Sequence, residues 1–157
     1  MVLGVRVGGF STLVAEIELI YKPAISEKPM IKSCLEAYNL IRNFIPENTI
    51  ALKEHMVVLY LNQAQRVLGA YKVSEGGLTS TVGDLRLIFS AALKSVATAV
   101  IVGHNHPSGN LQPSHQDIAL TLKLKEAGRL MDIKLMDHLI ISPVEGQYYS
   151  FADDGML

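Results

Sequence analysis

The chain has 157 residues, a length that favours one folded core over two. Hydrophobic residues make up 49% of it and charged residues 18%, which supplies the apolar surface of a core and excludes wholesale disorder. A net charge of −1 leaves no basic field to draw in nucleic acid or an acidic membrane, so any DNA contact has to be local.

Residues 12–21, TLVAEIELIY, alternate apolar and acidic positions imperfectly, as a half-exposed strand does. Beyond Pro23, Ile31, Leu35, Tyr38 and Ile41 fall on helical spacing, which predicts a helix near 28–44 with Ser26 as its cap and Pro46 past its end. Residues 56–61 are continuously apolar, β-branched and aromatic, the pattern of a strand buried on both faces. Residues 66–73 follow a polar turn at 62–65 and read as the antiparallel partner. Leu85, Ile88, Phe89 and Leu93 then mark a helix over 83–96 behind Asp84.

The strand TAVIVG, residues 98–103, runs into HNHPSGNLQPS, a loop punctuated by Pro and Gly. Ser114 opens a further helix, closed at or near Gly128, and strands return at 133–142 and 147–151 around a turn at 143–146. Hairpins together with helical crossovers describe an α/β (α+β) fold, a mixed sheet with helices packed on it. The single Cys34 cannot form an internal disulfide, which points to a reducing, cytoplasmic setting. The apolar start is interrupted and followed by Glu16 and Glu18, so it lacks a signal core, and no membrane span is expected.

The chemistry gathers after the TAVIVG strand. Ligands collect beyond the carboxyl ends of strands in α/β sheets, and positions i and i+2 of extended chain face one way, so His104 and His106 present two imidazoles together while Asn105 faces away. Asp117, in the first turn of the next helix, can swing back toward them. Two imidazoles and a carboxylate suit Zn²⁺ and leave a fourth tetrahedral position for water, the pattern of a catalytic site. Such an ion brings the pKa of its water to about 7, and a carboxylate outside its ligand set is still needed as base. Of Glu47, Glu54, Glu75 and Asp84, Glu54 opens a strand and is the one held rigidly.

Each feature has a plain structural reading taken alone. Ser114 and Asp117 have the spacing of a capping box, and His-Asn-His beside Pro-Ser-Gly can be an exposed turn. His55 and His138 sit in predicted strands as hydrogen-bonded core rings, Asp137 beside His138 reads as structural, and His115 belongs to a solvated helix start. Met30, Met56, Met131 and Met136 read as core filling. Strand end, paired imidazoles, helix-borne carboxylate and strand-borne glutamate together favour a site.

The segment from His104 to Asp117 spells H-x-H-P-x(6)-S-x-x-D. It resembles the JAMM signature of zinc-dependent MPN-plus (JAB) isopeptidases, and more closely their bacterial RadC-like branch, whose wording is matched by HNHPSG at 104–109, by residues 127–142 and by YYSF at 148–151. The similarity covers roughly residues 30–157; residues 1–30, a strand plus a linker, form an N-terminal extension ahead of a domain over 31–157. The resemblance implies the JAB architecture, which is cytidine-deaminase-like, with His104, His106 and Asp117 as zinc ligands. It implies Glu54 as the catalytic acid/base and Ser114 as the hydroxyl that steadies the oxyanion.

Two departures stand out. Asn105 replaces the Ser or Thr that many isopeptidases carry between the histidines, and residues 1–30 show none of the helix-hairpin-helix region that longer RadC proteins place ahead of this domain. Zinc deaminases need further thiolates that this chain lacks. The expected activity is hydrolysis of an amide or isopeptide bond in a peptide or protein, without an organic cofactor. The alternative is a DNA-repair-associated accessory or scaffold domain with structural zinc.

Overall fold

The computed structural model describes residues 2–7, 10–15, 20–24, 26–76 and 83–157, the first two stretches as backbone. Strands β1 (Val2–Val7) and β2 (Phe10–Ala15) pair antiparallel in a two-stranded sheet of their own. Residues 12–15 of the strand expected over 12–21 belong to β2. The acidic positions 16 and 18 of that expected strand fall outside the described residues, and residues 20–21 have no strand structure.

Helix α1 spans Cys34–Arg42, shorter than the expected 28–44. Ser33, not Ser26, is the cap: its hydroxyl accepts from Glu36 N, and the Glu36 carboxylate accepts in turn from Lys32 N at 2.6 Å. The residues before it are extended because they pair elsewhere. Strand β4 (Val67–Glu75) receives them along its start, where Val67 N donates to Pro29 O and Ile31 N to Gln65 O. Met30 forms a bridge with Arg66 there and is 37% exposed, so it does not fill the core as expected, whereas Met56 does. The Tyr21 hydroxyl adds a bond to Leu68 O.

Strand β3 (His55–Leu61) is buried along its whole length, as its unbroken apolar run requires. It pairs antiparallel with β4 on one side and with β5 (Ala99–Asn105) on the other. Helix α2 (Leu85–Lys94) precedes β5, with Asp84 accepting from Arg86 N as its cap. Helix α3 (His115–Leu130) then carries the chain across to β6 (Lys134–Ile141), which runs parallel to β5, and β7 (Tyr148–Ser150) returns antiparallel. The order β4-β3-β5-β6-β7 is the expected mixed sheet.

Alternation along the strands divides the core. Val57, Leu59, Leu61 and Ile101 face α1 with Tyr38 and Ile41, while Met56, Val58, Val100 and Val102 face α2 and α3 with Ile88, Phe89 and Leu124. Strand β5 runs two residues beyond its predicted end, which takes His104 and Asn105 into the ladder. Gly128 is no cap: it lies inside α3, whose C-cap is Met131, and a Cβ there would stand 2.2 Å from the carbonyl oxygen of Ile133. The glycine lets the end of α3 close onto the start of β6. Among the described residues no helix is long and apolar enough to cross a membrane.

Candidate metal centre

His104 is the sixth position of β5, held by pairing with Met56 of β3 and Ile140 of β6, and its ring faces α3 with Val100 and Val102. His106 stands one residue past the strand, tied back by its backbone N–H to Ile141 O. Opposite them, Ser114 caps α3 through a complete capping box with Asp117. Strand end and helix start thus converge as the spacing predicts. His104 Nε2 lies 3.0 Å from His106 Nε2 and 3.0 Å from Asp117 Oδ1, and His106 Nε2 lies 3.4 Å from Asp117 Oδ2. One ligand atom from each residue falls within 4.8 Å of the other two.

The other nitrogen of each ring is already engaged. His106 Nδ1 meets the carbonyl oxygen of Asn110 at 2.7 Å, in the loop that turns through Gly109 at φ +77°. His104 Nδ1 meets His138 Nε2 at 2.9 Å, and His138 Nδ1 meets Thr121 Oγ1 at 2.7 Å. Both Nε2 atoms are therefore left to face the carboxylate, with outer partners that orient each ring, as metal-binding histidines have. Burial alone raises the Asp117 carboxyl, but the His104, His106 and Ser114 side chains around it carry it far below the ordinary carboxylate range. The hydrogen bond to Asp117 raises the His106 pKa against desolvation, and the Asn110 carbonyl and the charges of Asp117 and Glu54 add to it. The pocket favours positive charge at the point where the three groups meet. Two imidazoles and a carboxylate around one point fit a divalent ion of borderline character.

Glu54, directly before β3, is half-buried and near enough for its charge to act on the His106 ring. Its backbone is gripped on both sides by Asn105, whose amide donates to Lys53 O at 2.9 Å and to Ile50 O at 2.7 Å while its oxygen accepts from His55 N at 2.7 Å. The other acids considered are committed elsewhere: Glu47 to Arg42, Glu75 to Lys53, and Asp84 to Arg86. The Ser114 hydroxyl donates to Asp117 Oδ2 at 2.6 Å and accepts from Asp117 N, so in this structure it caps. Cys34 lies at the start of α1 with its thiol on Asp153, His115 is exposed, and His55 is buried against Thr49.

A model of the RadC-like JAB domain matches residues 31–156. The chain belongs to the RadC-like JAB domain family. It is 40% identical over 146 residues to a UPF0758 protein of Porphyromonas gingivalis, covering 93% of this chain and 64% of that protein. It is 41% identical over 126 residues to one of Flavobacterium johnsoniae, covering 80% and 53%, and 35% identical over 150 residues to one of Methanococcoides burtonii, covering 94% and 63%. The chain thus spans between half and two thirds of the length of these relatives.

Two residues of this JAB domain escape sequence reasoning. His138 reads from its strand as an ordinary core ring, and it is fully buried, yet it touches His104 because β6 lies parallel beside β5 with Val102 facing His138. Only the strand order could have revealed that. Asn105 faces away from the histidines as expected, but its work is on the backbone around Glu54; an amide two residues past the expected strand end is the one signal the sequence carried.

Proposed function

We propose that this domain is a zinc-dependent hydrolase that cleaves an amide or isopeptide bond of a peptide or protein. The observation that carries the reading is the convergence of His104 Nε2, His106 Nε2 and an Asp117 oxygen, with both Nδ1 atoms bound outside. His104, His106 and Asp117 are the residues that would hold the ion, which when bound would acidify water and polarise a carbonyl. Glu54 then acts as the base: it takes a proton from the attacking water and returns it to the amine nitrogen as the C–N bond breaks. One water is consumed and Glu54 ends as it began. The Ser114 hydroxyl, turned from Asp117 Oδ2 toward the substrate, donates to the oxygen on which negative charge develops. In this proposal residues 31–157 are the working domain and residues 1–30 an extension of it, acting in the cytoplasm.

Among the described residues three donors converge, one fewer than the four protein ligands of a closed structural site. That, with the near-neutral net charge, places the DNA-associated scaffold reading second.

Purified protein should carry about one zinc per chain, lost in His104→Ala and in Asp117→Ala. Glu54→Gln should keep the metal and lose at least about 100-fold in the cleavage of a peptide and isopeptide library. Metal retained in both ligand variants removes the centre, and normal turnover by Glu54→Gln removes the base. Salt-dependent DNA binding without any peptide cleavage favours the scaffold.

A further inference from the structure

The Asp117 carbonyl oxygen can only accept, so the Thr121 hydroxyl, 2.7 Å from it and one helical turn along α3, gives its hydrogen there. Thr121 Oγ1 then presents a lone pair to His138 Nδ1, 2.7 Å away, and that nitrogen has to carry a hydrogen. His138 is wholly buried, its ring partners are Thr121 and His104, and its plane is held by stacking on Phe151 at 4.9 Å and 10°. A neutral imidazole has one N–H, so with Nδ1 protonated its Nε2 is an acceptor. The donor on the far side is His104 Nδ1 at 2.9 Å. The hydrogen bonds all run one way: His104 to His138, His138 to Thr121, Thr121 to the backbone of Asp117.

We propose that Thr121 and His138 are positioning residues that lock His104 in its Nδ1–H tautomer, so that Nε2 offers a bare lone pair where it meets His106 and Asp117. The inference rests on the metal-centre reading for its purpose, though not for its geometry. The circuit begins and ends on one residue: Asp117 supplies a carboxylate oxygen 3.0 Å from His104 Nε2 and, through its carbonyl, the acceptor that sets the direction of the chain. The helix that brings the acid therefore also dictates which nitrogen of the facing histidine is free. Asp117 and Thr121 lie four residues apart on one face of α3, so one rigid element provides both.

Long-range ¹H–¹⁵N correlation on the metal-free protein, recorded while pH is raised until the imidazole shifts cease to change, reads the tautomer of the neutral ring directly. His104 should show Nδ1 protonated and Nε2 bare. Zinc titration should find Thr121→Val about 10–100-fold weaker than wild type, with the population of that tautomer reduced, and Thr121→Ser close to wild type because it restores the hydroxyl. His104 with Nε2 protonated in the wild-type protein overturns the proposal, whatever the variants do. So does Thr121→Val that binds zinc as tightly as wild type. Wild-type protein with the Nδ1–H tautomer but no affinity for zinc upholds the circuit and overturns the metal centre. Zinc binding with the opposite tautomer does the reverse.

Discussion

Asp137 is a carboxylate 5% exposed, and its oxygens accept from Ser150 Oγ at 2.7 Å and from the backbone N–H groups of His138 and Ala152. Burial raises its pKa despite those three bonds. The fold therefore favours the protonated form. The stability so contributed is fully present below the unfolded carboxyl value of about 3.9 and is lost as pH rises through the raised folded value. Asp137→Asn keeps an oxygen for the two backbone donors and cannot ionise, so between pH 4 and 7 its urea stability should hold while wild type declines relative to it; a difference independent of pH would refute this. Asn105→Ala makes a larger change, because Ile50 O, Lys53 O and His55 N lose their partner together. At about 1–3 kcal/mol for each buried unpaired group, a loss of about 3 kcal/mol or more is expected in denaturant melts, and a loss under about 1 would contradict the grip described. The sequence displayed the triad because all three members sit at spacings set by one strand end and one helix cap. His138 was invisible as a neighbour, since its contact depends on a strand pairing that no local pattern encodes.

Helix starts and ends illustrate what competes with periodicity. Apolar spacing placed α1 correctly at Leu35, Tyr38 and Ile41, but residues 28–31 were claimed by β4, an interaction between distant segments that a helical window cannot register. At the far end of α2 the chain turns through Val96 at φ 55°, where Val96 N reaches Leu93 O and Ala97 N reaches Ala92 O. A β-branched residue is strained in this left-handed conformation, and Val96, 79% exposed, gains little from packing in return. Val96→Gly should raise stability by about 1 kcal/mol in thermal or urea unfolding; an unchanged or lower midpoint would show that the valine side chain makes up for the strain. Gly128 carries the opposite lesson: a glycine near a helix end looks like a cap, and here it serves a close approach inside the helix.

Over the whole molecule, composition and alternation made the mixed sheet and its buried middle strands legible, while the order β4-β3-β5-β6-β7 and the separate β1-β2 pair required coordinates. If the centre takes zinc, binding should stabilise the folded chain: at a free concentration 100 times Kd the gain is about 2.7 kcal/mol, seen as a higher Tm that chelator reverses and His104→Ala lacks. The three converging groups all belong to residues 104–117, one strand end, loop and helix start, whereas Glu54 comes from the opposite flank of β5, through β3 and the Asn105 grip. On the proposed reading of Glu54 as base, damage confined to that grip would leave a bound ion in place over a misplaced carboxylate. Zinc stoichiometry would then count loaded molecules rather than competent ones, and only titration of working sites would tell the two populations apart.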